Sequence, residues 1–86
     1  MKTIVAQNQI KDEILKERLE MAGIYFTSAG ENLASGFLSA EDVVESWMNS
    51  TSHKENILNF EFTHIGVGYY AGGSNGTYWT LVLIAR

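Results

Sequence analysis

Apolar positions in the first third of the chain recur at helical spacing. Ile10, Ile14, Leu15 and Leu19 form one stripe, and Lys11, Asp12, Lys16, Glu17 and Glu20 fill the opposite face. This pattern predicts an amphipathic helix over about residues 5–21. Gly23 is a suitable stop, because glycine tolerates the left-handed conformation that follows a last turn. Ile24-Tyr25-Phe26-Thr27 is a short β-like run and predicts a strand over about 24–28. Ser39 can cap a second helix, about 40–49, whose apolar stripe is Val43, Val44, Trp47 and Met48. After Ser50-Thr51-Ser52, a further short helix over about 53–58 is expected to bury Ile57 and Leu58. The chain closes on a predicted hairpin over about 62–85, whose glycine-rich loop contains Asn75-Gly76. Thr80-Leu81-Val82-Leu83-Ile84 is apolar at every other position and in between. Such a strand belongs in a sheet covered on both faces.

Eighty-six residues with 45% hydrophobic positions make one small globular domain, residues 1–86. A domain of this size buries a modest core. There is no cysteine, so no disulfide or thiolate-metal site adds to its stability. The net charge of −4 and the absence of a basic patch argue against nucleic-acid binding. No run is long enough to span a membrane. Residues 1–9 turn polar too early for a signal peptide.

Candidate chemistry concentrates in two strings, Gly30-Glu31-Asn32-Leu33-Ala34 and Ser52-His53-Lys54-Glu55-Asn56-Ile57-Leu58. A carboxylate and an imidazole can share a metal, exchange a proton, or hold two elements together. Glu31 and His53 are the candidate metal ligands or acid/base pair, and Asn32 is a candidate for fixing local backbone by hydrogen bonding. Catalytic zinc takes three protein ligands and a water. Two ligands are too few, which favours a structural role for Glu31 and His53. A serine hydrolase is disfavoured, because no Gly-x-Ser-x-Gly elbow is present and Ser39 is accounted for as a cap. His64 lies on a predicted strand and is not counted as a ligand.

Those strings, together with Trp47-Met48-Asn49-Ser50, Phe62-Thr63-His64-Ile65-Gly66-Val67-Gly68 and Tyr78-Trp79-Thr80, resemble the CAP superfamily over about residues 18–82. This is the group of cysteine-rich secretory proteins, antigen 5 and pathogenesis-related 1 proteins, also called the SCP domain, and the likeness is to its bacterial branch. The resemblance implies an α+β fold: an α-β-α sandwich around a small three-stranded antiparallel sheet. It also implies a central cleft lined by His and Glu, which binds zinc or another divalent ion in some members. Glu31 matches the cleft glutamate of the Gly-Glu-Asn motif, and His53 matches the histidine after the Trp helix. The helices that carry an Asn-x-x-Arg pattern and a second cleft histidine have no counterpart here, and Asn49 and Ser50 stand where some relatives have another glutamate. The chain therefore reads as a CAP/SCP-like domain truncated at its N-terminus.

The resemblance fixes fold better than activity. The expected function is a non-enzymatic binding module for a protein or lipid ligand, without a tightly held cofactor. The alternatives are a weakly metal-dependent hydrolase using Glu31 and His53, with zinc as the metal, and a remnant without cleft chemistry. Missing cover over a strand that is apolar on both faces predicts a homodimer. It would form by two-fold packing of sheet faces or by exchange of the N-terminal helix, with Ile10 and Ile14 at the interface. The family suggests an extracellular location.

Overall fold

The computed structural model describes the backbone of residues 3–7, 13–74 and 76–86, and the side chains of the same residues from 15 onward. Its elements run β1 (Thr3–Gln7), α1 (Glu13–Met21), β2 (Ser28–Ser35), α2 (Ala40–Met48), α3 (Thr51–Leu58), β3 (His64–Ala71) and β4 (Thr77–Ala85). The strands form one antiparallel sheet in the order β1-β2-β4-β3. The expected three-stranded sheet is present as β2, β4 and β3, and β1 adds a fourth strand beside β2.

Alternation along β4 divides the core in two. Leu81 and Leu83 face α2 and α3 and pack with Ala34, Phe37, Val43 and Trp47, with Ile57, Phe62 and Trp79 at the margin. Val82 and Ile84 face α1 and pack with Leu15, Leu19 and Ala29. The two-sided apolar pattern of this strand thus has the cause its sequence implies: helices cover both faces. The result is an α-β-α sandwich.

The N-terminal segment differs from the expected helix over 5–21. Thr3–Gln7 is a strand, and α1 begins at Glu13. Thr3-Ile4-Val5 is β-branched, and the segment pairs in register with Leu33 to Ser35 and onward, so that β2 gains a second neighbour. Ile10 and the side chain of Ile14 lie outside the described residues. The end of α1 matches its reading. Gly23 has φ +74°, its N–H donates to Glu20 O at 3.0 Å, and Ile24 N–H reaches back to Leu19 O at 3.0 Å. This doubly bonded ending also sets Ile24 against Leu19 in the core.

The strand expected over 24–28 is displaced. Residues 24–27 lead in, and the strand itself is Ser28–Ser35, which contains the whole Gly30-Glu31-Asn32 motif. All three pair with β4, and Glu31 and Asn32 pair with β1 as well; that pairing overrides their low intrinsic strand preference.

Helix α2 is capped by Ser39, whose Oγ accepts from Asp42 N–H at 3.2 Å. Val43 and Trp47 are buried as expected, while Val44 is half exposed and Met48 only partly covered. In α3 the inward residues are His53 and Asn56, with Ile57 partly covered and Leu58 exposed. The expectation that Ile57 and Leu58 form its buried side holds for Ile57 alone. The i, i+3 pair His53 and Asn56 takes the inner face because a polar strand residue, Asn32, awaits it.

Candidate functional site

The motif residues of β2 point alternately to the two helical layers, and this alternation decides what each can touch. Glu31 lies on the α1 side. Its side chain has no solvent exposure, and one guanidinium nitrogen of Arg18 donates to both carboxylate oxygens at 2.7 Å. Arg18 projects from α1 with half its side chain in water. A buried carboxylate needs such a partner, because removing an ion from water costs several kcal/mol unless charge and hydrogen bonds compensate.

Asn32 lies on the other side, against α3. Its amide nitrogen donates to His53 O at 3.1 Å, and its oxygen accepts from Asn56 Nδ2 at 2.9 Å. Asn56 Nδ2 also approaches Glu31 O at 3.4 Å. Asn32 does bond to backbone, but to the backbone of α3; it clamps helix to sheet and fixes no turn. His53 is buried, and its Nδ1 shares a 2.7 Å hydrogen bond with Ser50 Oγ at the start of its own helix.

Gly30 makes this docking fit. A Cβ there would lie 3.1 Å from Asn56 Oδ1 and 3.1 Å from the Phe62 ring. Asn56 is buried and Phe62 packs at the margin of the core, so neither yields freely. Gly30→Ala is expected to destabilise the fold by about 1–2 kcal/mol, as mild overpacking does. A urea titration checks this, and an unchanged midpoint would mean that α3 and Phe62 retreat without cost.

The structure therefore unites Asn32 with the backbone of His53, and it separates the Glu31 side chain from His53 by the thickness of the sheet. Glu31 meets Arg18 instead. Among the described residues no three His, Asp or Glu side chains gather as a metal site would require. The donor set does not fit zinc: its one carboxylate is occupied by a guanidinium, and its imidazole is on the opposite layer. His64 is exposed on β3, hydrogen-bonded to Thr63 Oγ1 at 2.7 Å.

Sequence reasoning missed Arg18 and Asn56. Arg18 stands three residues after Leu15 and one before Leu19, at the edge of the buried stripe, where a cation can reach the sheet. Asn56 stands three residues after His53, on the same helix face.

The other open feature surrounds β3, every residue of which is exposed. On the α1 side, Gly66 and Gly68 leave the sheet bare beside Thr80 and Val82, in a groove of about 510 Å³. On the α2 side, Ile65 and Val67 border a groove of about 360 Å³ that runs along Val44, Trp47 and Trp79.

Asn32 and Asn56 dock the histidine helix on the Gly-Glu-Asn strand, while Glu31 turns to the opposite helical layer. The family model described as cysteine-rich secretory protein family matches residues 6–83. The chain belongs to this family. It is 47% identical over 70 residues to the Bacillus subtilis (strain 168) protein named "Uncharacterized protein YkwD", a match covering 81% of this chain and 26% of that protein. It is 44% identical over 54 residues to "Uncharacterized membrane protein YlbC" of the same strain, covering 63% of this chain and 16% of that protein. The chain thus spans well under half the length of either relative. No solved structure matches it significantly. No helix among the described residues is long and apolar enough to cross a membrane.

Proposed function

We propose that this CAP domain is a non-enzymatic binding module that engages a protein partner through the apolar surface around β3. The observation that carries this reading is the state of Glu31. The family's cleft carboxylate is fully buried and bonded through both oxygens to Arg18. A general base or metal ligand needs a free lone pair facing its substrate. Here both carboxylate oxygens are turned to Arg18, while apolar surface stands open at the far edge of the same sheet.

Three further features support the reading. Asn32 and Asn56 hold α3 rigidly to the sheet, as a binding scaffold requires. His53 is tied into that same junction. Four of the ten exposed large hydrophobic residues among those described, Ile65, Val67, Tyr69 and Tyr70, lie on β3.

Zinc titration by calorimetry at neutral pH tests the proposal. No saturable heat is expected at micromolar metal. Binding at micromolar affinity or tighter that vanishes in both Glu31→Gln and His53→Ala would overturn the reading and favour a metal-dependent hydrolase.

A further inference from the structure

Strand β3 lies at the edge of the sheet, with β4 as its neighbour and no other strand beside it among the described residues. Its backbone edge therefore presents N–H and C=O groups that no strand among the described residues pairs. Sheet proteins ordinarily protect such an edge with a charged residue, a proline, a bulge or a very short strand. None of these devices is present in β3. The sequence His64-Ile65-Gly66-Val67-Gly68-Tyr69-Tyr70-Ala71 has no Lys, Arg, Asp, Glu or Pro, and its eight residues pair with β4 in unbroken register. Ile65 is 66% exposed, Val67 73%, Tyr69 57% and Tyr70 63%.

We infer that β3 pairs antiparallel with the β3 of a second copy of this chain, joining the two sheets into one across a two-fold axis. This inference rests on the binding-module reading and names its partner.

Symmetry favours a second copy over an unrelated strand. An antiparallel pair about a two-fold axis normal to the sheet brings each strand against itself. Ile65, Val67 and Tyr69 share one face of the strand, so both copies present that face on the same side of the joined sheet, and their apolar residues become cross-strand neighbours. The glycine faces likewise meet each other, and Gly66 and Gly68 leave no side chain to obstruct the approach.

Charge does not oppose the union. The chain carries a net charge of −4, yet the seam contains no charged residue. The area is adequate. Two half-exposed tyrosines with Ile65 and Val67 offer on the order of 400–500 Å² per copy, taking about 150–250 Å² for a whole aromatic. The backbone edge adds to this, and a contact below the roughly 800 Å² per partner of a standard interface suits a reversible dimer.

Sedimentation equilibrium of the 86-residue chain, from tens to hundreds of micromolar, tests the inference. A reversible dimer is expected. Val67→Lys should raise its dissociation constant about tenfold or more, because two lysines then meet near the axis without partners. Val67 is exposed, so circular dichroism should show the variant folded.

Amide exchange on the unaltered chain gives a second readout that needs no substitution. Protection in β3 should rise with protein concentration while that of β1 does not. A folded monomer throughout the range overturns the inference, as does a dimer that Val67→Lys leaves intact, or one whose β3 amides exchange at a concentration-independent rate. None of these outcomes bears on the zinc titration, so the module reading stands or falls separately.

Discussion

Trp47→Ala is expected to lower unfolding free energy by about 3–5 kcal/mol, the usual cost of truncating a buried tryptophan. The magnitude follows from position. Trp47 lies on the inner face of α2, packed with Ala34, Phe37, Val43, Leu81 and Leu83. Its indole N–H donates to Leu33 O at 3.2 Å, so truncation both opens a large cavity and removes this hydrogen bond. An 86-residue domain has on the order of 5–10 kcal/mol in total. The variant should therefore lose much of its urea midpoint or fail to fold at room temperature. Trp47→Phe keeps most of the volume and loses the hydrogen bond, so it should cost about 1–2 kcal/mol. An unshifted transition in Trp47→Ala would refute the assignment of this face as the core.

Much of the helix-and-hairpin framework was legible because its signals are local. Ser39 caps α2, Gly23 ends α1, and the turn residues separate β3 from β4. The apolar character of β4 on both faces foretold a three-layer sandwich, and the motifs foretold the family. The errors share one physical origin: they occur where long-range pairing outweighs local pattern. Thr3–Gln7 becomes a strand because β2 offers it a register, although the stripe starting at Ile10 invites a longer helix. Gly30 to Asn32 have little strand preference, yet all three pair with β4, and Glu31 and Asn32 also with β1. Leu58 is exposed because α3 turns its polar side inward to meet Asn32.

The candidate site was legible residue by residue but not as an arrangement. Glu31, Asn32 and His53 stood out in the sequence as candidate cleft residues, and all three are buried polar groups. Spacing alone cannot say that Glu31 and Asn32 point to opposite layers unless the motif is known to lie on a strand. Once it does, alternation sends the Glu31 carboxylate toward α1 and Asn32 toward α3. The partner of Glu31 then has to come from α1, where Arg18 is the cation at the margin of the buried stripe.

That pairing gives the second large expected effect. Arg18→Met should destabilise the protein by about 2–3 kcal/mol at neutral pH, because it strands an ionised carboxylate inside the sheet layer. The figure is below that for a fully buried pair, since half of the Arg18 side chain is in water and solvent screens part of the attraction. Lys at this position is expected to recover only part of the loss, because its ammonium is more strongly hydrated and costs more to bring against a buried carboxylate. The decisive comparison is a double substitution. Arg18→Met with Glu31→Leu removes both charges and leaves nothing uncompensated, so it should cost less than the sum of the single changes. Additive losses would mean that the 2.7 Å contacts carry little coupling, and Glu31 would then be available for chemistry after all. Strong coupling would instead support Glu31 as the anchor of α1 to the sheet, a buried carboxylate serving to hold a scaffold together.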